Sequence, residues 1–126
     1  MTAAVTQPTL YADALLKTLQ RLRDRYKDMT VLQAQCFFMV AQRPGISQKE
    51  LYEVLGASDS AASRILAVLS DFGDRKTAGL DLVRMTTNPT DRRVKLLYLT
   101  QKGHRVMEDI VSDIKGTVGN GHTAPA

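Results

Sequence analysis

The sequence predicts one mainly α-helical domain that also carries a small β-hairpin. Three observations lead to this fold class. Apolar residues recur at helical spacing over most of the 126 residues. Two of the helical stretches are separated only by a tight turn at Gly56. Two strand-like runs then flank Asn88-Pro89-Thr90, a sequence that favours a turn.

Composition and charge are those of a single globular domain with a modest basic excess. Hydrophobic residues make up 44% of the chain, and 17 Lys and Arg against 13 Asp and Glu leave a net charge of +4. We expect a flexible N-terminus at residues 1–8, one domain at residues 9–115 and a flexible tail at residues 116–126. Many basic residues fall in the second half of the chain: Arg64, Arg75, Lys76, Arg84, Arg92, Arg93, Lys95, Lys102 and Arg105.

The start of the chain does not resemble a secretion signal. Residues 1–7 are small and polar, without a basic start or a long apolar core. No stretch approaches the length needed to cross a bilayer. We therefore expect a cytoplasmic protein, associated with the nucleoid and without a membrane partner.

The two ends of the domain are predicted to be amphipathic helices. Leu15, Leu19, Leu22 and Tyr26 form an apolar stripe in residues 9–28. This stripe either packs on its own domain or pairs with a second subunit. The last helix, at residues 101–115, follows the predicted cap Thr100, and its apolar face must also be buried against the domain, the first helix or a partner. That face comprises Val106, Ile110 and Ile114, flanked by Met107 and Val111.

The central part of the chain begins with a second capped helix. Thr30 and Gln33 have the spacing of a capping box, and the helix runs through the apolar stretch around Cys36. Arg43-Pro44 ends it. We expect this helix to be the main buried element of residues 30–99.

A short helix and a longer one follow, joined by a tight turn. Ser47 and Glu50 form a predicted capping box, and Gly56 stands where the short helix exits through a left-handed residue. Ser58 is the predicted N-cap of the next helix. The apolar stripe of that second helix comprises Ile65, Leu66, Val68, Leu69 and Phe72. The pair therefore has helix-turn-helix geometry.

The face opposite this stripe carries short and hydrogen-bonding side chains. Serine can bond any base edge, alanine can contact a thymine methyl group, and arginine can bind guanine or phosphate. A solvated surface helix has a similar composition, so this helix alone leaves both interpretations open. The candidate DNA-contacting residues are Ser58, Ser60, Ala61, Ser63 and Arg64.

The predicted hairpin, residues 82–99, carries a cationic tip. Strand-like runs at residues 82–87 and 94–99 flank the turn, and a cationic tip on a stiff hairpin suits the negative potential of a narrow DNA groove. Asp91 can hold a neighbouring guanidinium by a bidentate contact. A solvated hairpin end is the alternative, but the preceding helix-turn-helix favours contact with double-stranded DNA. The candidate residues of this wing are Arg84, Asp91, Arg92, Arg93 and Lys95.

Residues 33–103 resemble the winged helix-turn-helix domain of the MarR family of bacterial regulators. The resemblance rests on Ser47-Gln48-Lys49-Glu50-Leu51, Leu55-Gly56-Ala57-Ser58, Ser63-Arg64, Asn88-Pro89-Thr90-Asp91-Arg92-Arg93 and Thr100-Gln101-Lys102-Gly103. It implies a homodimeric DNA-binding transcription regulator in which the terminal helices form the dimer. It also implies that Arg92 or Arg93 enters the minor groove, oriented by Asp91, and that a small aromatic effector binds.

The chain departs from the family pattern at two places that matter here. Asp59 stands where the family commonly has a basic or neutral residue, and its charge favours the helix N-terminus but repels phosphate. The connection at residues 73–81, which contains Asp74, Arg75 and Lys76, is longer than is usual in the family.

The sequence offers little for chemistry other than binding. Cys36 is the only cysteine, so the chain has neither an internal disulfide nor a zinc cluster of cysteines, and its apolar surroundings indicate a core residue. His104 and His122 lack partners at metal-ligand spacing. No phosphate loop or nucleophile motif is visible. We therefore expect no enzyme, no cofactor and no metal.

The function predicted from the sequence is that of a dimeric repressor on a palindromic operator. Its recognition helix would occupy the major groove and its wing the minor groove. Two alternatives remain open at this stage. One is a winged-helix module that binds a polymerase or replication protein, and the other is a ligand-gated or redox-gated sensor of the same fold.

Overall fold

A computed structural model describes residues 6–71 and 78–118 of the chain. The chain divides into two compact units, one formed by residues 1–28 and 106–126 and the other by residues 29–105, so that the last helix contributes to both. The elements are α1 (Gln7–Arg25), α2 (Val31–Gln42), β1 (Ile46–Ser47), α3 (Gln48–Leu55), α4 (Asp59–Leu69), β2 (Val83–Asn88), β3 (Asp91–Leu99) and α5 (Gln101–Thr117).

The first unit joins α1 to the greater part of α5 through charged side chains. The hydroxyl of Thr6 caps α1, which begins at Gln7, two residues before the predicted start at residue 9. Arg21 donates two hydrogen bonds to the carboxylate of Asp113, the longer at 2.9 Å, and Arg25 lies 3.4 Å from Asp109. The buried residues of the unit include Ala14, Thr18, Leu22, Val106 and Ile110.

Much of the predicted apolar stripe of α1 is not buried in this unit. Leu22 and Tyr26 are buried, but Leu15, Leu16 and Leu19 are 59%, 53% and 57% exposed. The buried face of α1 is instead completed by the small residues around Ala14. Of the two alternatives left open for the stripe, packing on its own domain therefore holds for Leu22 and Tyr26 but not for these three leucines.

The helices of the second unit begin at capping residues that the sequence predicts. A reciprocal capping box joins Thr30 and Gln33 at the start of α2. At α3, the hydroxyl of Ser47 accepts from the Glu50 amide at 3.1 Å. The Glu50 carboxylate accepts from the Ser47 hydroxyl at 3.2 Å, not from the Ser47 amide as the capping box predicts. This box is therefore only half formed.

A left-handed residue links α3 to α4, as the sequence predicts. Gly56 has φ 70° and ψ 13°, and its amide donates to the Tyr52 carbonyl. Ser58 caps α4 by accepting from the Ala61 amide at 3.2 Å. The helix ends at Leu69, and Phe72, predicted to extend its apolar stripe, lies outside the described residues, as do Asp74, Arg75 and Lys76.

The wing is a three-stranded antiparallel sheet in the order β1-β3-β2, one strand more than the predicted hairpin. The extra strand is β1, in which Ile46 pairs with Leu97. It was missed because two residues show no alternation. The strand β3 begins at Asp91, three residues before the predicted start at Val94, and the register of the β2–β3 pairing shifts between Thr87 and Asn88, with the extra residues on β3.

A three-residue segment ties α4, the sheet and α5 together. The amides of Leu80, Asp81 and Leu82 donate to carbonyls at the end of α4, at 2.8–3.0 Å. Asp81 has φ 57°, a left-handed conformation uncommon outside glycine. The carbonyl of Asp81 then accepts from the Thr100 hydroxyl, which caps α5. The end of α4 is thereby satisfied by tertiary contacts.

Candidate nucleic-acid interface

The exposed face of α4 carries the candidate residues predicted for the recognition helix. Ser60, Ser63 and Arg64 are exposed, and Ala61 is half-buried. The opposite face, which includes Ile65 and Leu69, is buried. Among the described residues, none forms an ion pair with Arg64, so its guanidinium is available to a ligand.

Ser58 has a structural task as well. Its hydroxyl accepts from the Ala61 amide at 3.2 Å and lies 3.4 Å from the Ser60 hydroxyl. A side chain that caps a helix is held in one rotamer, which leaves it less able to turn towards a base. Ser60 and Ser63 are therefore better placed than Ser58 for base contacts.

The tip of the hairpin is held by its own side chains. Asn88 Oδ1 accepts from the Thr90 amide at 2.9 Å and from the Thr90 hydroxyl at 2.8 Å. Such Asx contacts replace a backbone turn, and Pro89 fixes its own φ between them. These contacts restrict the backbone at the tip.

Asp91 holds Arg93, two residues further along β3. Its carboxylate accepts from the Arg93 amide at 3.1 Å and from the guanidinium at 3.2 and 3.4 Å. These hydrogen bonds from the Arg93 side chain and amide lower the pKa of Asp91. The Arg93 side chain is still 91% exposed. Arg92 is exposed too, but successive strand residues face opposite sides of a sheet, so Arg93 is the arginine that Asp91 orients.

The other two basic candidates of the wing lie nearer its base. Lys95 Nζ donates to the hydroxyl of Thr87 on the neighbouring strand at 3.1 Å. The guanidinium carbon of Arg84 lies 4.8 Å from the centre of the Tyr98 ring, its cross-strand partner. This cation–π contact gives Arg84 a role in the sheet that the sequence did not reveal, because the register of the strands was unknown.

An open groove of 740 Å³ runs between α3, the turn after it and β3. Its basic lining consists of Lys49, Arg93 and Lys95, and its acidic lining of Glu53 and Asp59. Sequence reasoning missed Lys49 and Glu53, because α3 was treated as a supporting helix. The signal available was that both residues lie off the apolar face of that helix.

A smaller cavity of 140 Å³ lies beside the recognition helix. It is lined by α3, α4 and the strands, with Tyr52, Ser63 and Met85 among its residues. The side-chain amide of Gln48 donates through Nε2 to the hydroxyl of Tyr52 at 2.8 Å. The cavity therefore combines apolar walls with a few polar groups, and its volume is below the about 300 Å³ at which sites for drug-sized ligands begin.

Other candidate chemistry is sparse in the described residues. Cys36 is fully buried, and burial raises the pKa of its thiol to about 12. Within residues 6–71 and 78–118, no group of three or more His, Cys, Asp or Glu side chains could hold a metal ion. Over the same residues, no helix is both long and apolar enough to span a membrane.

These observations define a class of protein. Two helices joined at a left-handed glycine, a capped second helix with an exposed polar face and a sheet with an arginine-bearing tip constitute a winged helix-turn-helix domain. The predicted fold class is confirmed, with β1 as an additional strand.

The comparison with known families is more specific. The sequence profile of the MarR family matches residues 27–73, which contain α2, α3 and α4. The resemblance to this family that the sequence indicates is thereby confirmed over these three helices, and the fold is similar to that of MarR-family winged helix-turn-helix proteins. The family consists of transcription regulators and not of enzymes, in agreement with the expectation from the sequence. No curated protein sequence matches the chain.

Solved structures share this fold at low sequence identity. RV1404 from Mycobacterium tuberculosis is 22% identical with a TM-score of 0.65, and the match covers 100% of this chain and 86% of that one. S. aureus MepR bound to DNA is 16% identical with a TM-score of 0.67, covering 90% and 86%. PcaV from Streptomyces coelicolor, with its natural ligand, is 23% identical with a TM-score of 0.55, covering 100% and 86%. At sequence identities of 16–23%, this structural similarity shows that the chain shares their fold and no more.

Proposed function

We propose that this protein is a sequence-specific transcription regulator that binds double-stranded DNA as a homodimer and represses from a palindromic operator. The observation that carries the proposal is the pairing, within residues 29–105, of an exposed polar recognition face on α4 with a wing arginine oriented by Asp91. MepR, which shares this fold, has been solved bound to DNA. The proposal implies a cytoplasmic protein located at the nucleoid.

Each part of the interface has a distinct task in this proposal. The first turns of α4 enter the major groove, where Ser60, Ser63 and Arg64 contact base edges. Arg93 reaches the adjacent minor groove, whose negative potential attracts a guanidinium. Lys49 and Lys95, which line the groove between these two elements, contact the phosphates of the intervening strand.

The exposed leucines of α1 support the homodimer. Leu15, Leu16 and Leu19 are each more than half exposed, and this apolar face gains stability if a second copy covers it. Two-fold symmetry then presents two recognition helices to successive major grooves, and a palindromic site follows from that symmetry.

The first test is a salt titration of binding to a pool of random duplexes, with sedimentation at the same protein concentration. We expect a dimer, a steep loss of affinity with salt and enrichment of a two-fold symmetric sequence. Failure to bind at the lowest salt would contradict the proposal, and recovery of a protein partner by pull-down would then favour the protein-interaction module.

Substitutions separate backbone contacts from base contacts. Replacing both Arg92 and Arg93 by alanine should weaken binding to all sequences and reduce the salt slope of the dimer by up to about 4, since four arginines are removed and each phosphate contact contributes about one unit. Arg64→Ala should in addition relax the preference at one base position. Unchanged affinity in both variants would contradict the proposed interface.

The small cavity beside α4 favours a further element of the function, gating by a small aromatic effector. A ligand that enters between α4 and the strands, beside Ser63 and Met85, changes the position of the recognition helix relative to the wing. A panel of phenolic compounds should contain members that release the protein from its operator. Ala67→Leu, which fills the cavity, should abolish that release, and no response across the panel would indicate a constitutive regulator.

A further inference from the structure

Asp59 is an acidic residue at the position where a recognition helix approaches DNA. It is the first residue of α4, it is exposed, and it lines the groove between α3 and the wing. Within residues 6–71 and 78–118, its carboxylate forms neither a hydrogen bond nor an ion pair. Ser63 lies one turn further along the same face.

A carboxylate in this place is unfavourable for general DNA affinity. It faces the same groove as Arg93 and Lys95 and offsets part of their attraction for phosphates. Within the fold, the helix dipole favours this charge, and the Ser58 N-cap satisfies only one first-turn amide, that of Ala61. At the DNA surface, where the charge opposes phosphate, the role open to Asp59 is discrimination between bases.

The chemistry of base edges limits what Asp59 can recognise. A carboxylate only accepts hydrogen bonds, and the donors in the major groove are the N4 amino group of cytosine and the N6 amino group of adenine. Adenine presents the N7 acceptor beside its amino group, which repels a carboxylate, and cytosine does not. Cytosine is therefore the base that suits Asp59.

We propose that Asp59 is a specificity-determining residue that selects cytosine through its N4 amino group at one position in each half of the operator. This inference rests on the proposed function. The carboxylate lowers affinity for every duplex and regains it only where cytosine faces it, so that it increases the ratio of specific to non-specific binding.

The test compares sequences selected from a random duplex pool by the wild type, Asp59→Ala and Asp59→Asn. The wild type should select a cytosine in each half-site and lose at least about fivefold in affinity when that cytosine is replaced by thymine. Asp59→Ala should lose the preference at that position alone, so that replacing the cytosine by thymine changes its affinity by less than about twofold. This variant should also bind random DNA more tightly. Asp59→Asn should shift the preference to adenine, which asparagine contacts at N6 and N7.

Glu53→Gln is the matched control, because it removes a carboxylate from the same groove but not from the recognition helix. It should raise affinity for all duplexes and leave the selected cytosine in place. If Asp59→Ala selects the same sequence as the wild type, Asp59 acts by repulsion only and the inference fails alone. If the wild type selects no sequence, the proposed function fails with it.

Discussion

Gly103 is the residue at which the fold has least tolerance for a side chain. A Cβ atom on this residue would lie 2.2 Å from the carbonyl oxygen of Leu82, a backbone atom that is fixed between α4 and α5. This contact gives a structural reason for a glycine at position 103, which the sequence shows only as the last residue of Thr100-Gln101-Lys102-Gly103.

Gly103→Ala should destabilise the protein by about 1–3 kcal/mol, because the backbone must move to admit the methyl group. Gly116→Ala is the control within the same helix, since a Cβ there meets nothing within 4 Å. It should be neutral or stabilise by up to about 1 kcal/mol through helix propensity. Urea unfolding measures both, and equal stabilities of the two variants would contradict the assignment.

Substitution of Asp91 tests whether DNA affinity depends on the net charge of the wing or on the orientation of Arg93, because the two predict opposite changes in affinity. Asp91→Ala adds one positive charge, so simple attraction predicts tighter DNA binding. We expect weaker binding by about threefold to tenfold, because Arg93 loses the contacts that hold it and must be ordered on binding. Equilibrium binding to the selected operator measures this, and tighter binding would show that orientation is unimportant.

Among features of single residues, the helix caps were the most predictable. Thr30, Ser47 and Ser58 act within one turn of the chain, so residue type and spacing are sufficient to identify them. The contact of Asp91 with a guanidinium is equally local and was also expected. The cation–π contact of Arg84 depends on which residue of β3 lies opposite it, and only the register of the sheet determines that.

At the scale of elements, the helices were predictable and the sheet was only partly so. Periodicity locates helices of eight or more residues such as α3 and α4, but the two-residue strand β1 has no period. The end of α4 was predicted too late, because the apolar spacing continues to Phe72 while the helix ends at Leu69. The segment 80–82 satisfies its last carbonyls, and such a tertiary contact leaves no sequence signature.

The joining of α1 to α5 by ion pairs makes the stability of the first unit dependent on pH. Hydrogen bonding from Arg21 lowers the pKa of Asp113 below its ordinary value of 3.8. A lowered carboxylate pKa contributes stability above pH 3.8, and that contribution is lost as the pH falls through the pKa of the folded state.

Asp113→Asn should therefore lower stability slightly at neutral pH and make the loss of stability below about pH 4 less steep. Arg21→Met should have the same effect, because it removes the other partner of the pair. Thermal unfolding between pH 2.5 and 7 checks both variants. Acid curves that remain parallel to that of the wild type would show that the ion pair does not contribute.

For the whole molecule, the exposed leucine face of α1 predicts how assembly controls binding. Leu19→Glu places a charge on a residue that is 57% exposed, so the folded subunit should tolerate it while a dimer interface should not. We expect a monomer by sedimentation and a loss of operator affinity of at least about tenfold, since one recognition helix must then bind without the other.

Val31→Glu is the matched control for that experiment. Val31 is 80% exposed on α2, so the substitution introduces the same charge on a surface outside α1. This variant should remain dimeric. Dissociation of both variants, or of neither, would contradict the role of the α1 face.

The sequence could not show which surface the leucines of α1 contact. An apolar stripe has the same periodicity whether it packs against its own chain or against a second copy. Burial in a single subunit shows which residues pack on their own chain: Leu22 does and Leu15 does not, and Leu15 is thereby left free for the proposed partner copy. The division into two units likewise follows from contacts that join residues far apart in sequence.

The position of Ser47 affects how the second unit opens. This residue ends β1, which pairs with the distant strand β3, and its hydroxyl caps α3. When thermal motion separates β1 from β3, Ser47 is released from the sheet and the first turn of α3 loses the geometry of its cap. We therefore expect the edge of the sheet and the first helix of the helix-turn-helix to open as one cooperative segment, so that fraying at the wing base extends to the helix that supports the recognition helix.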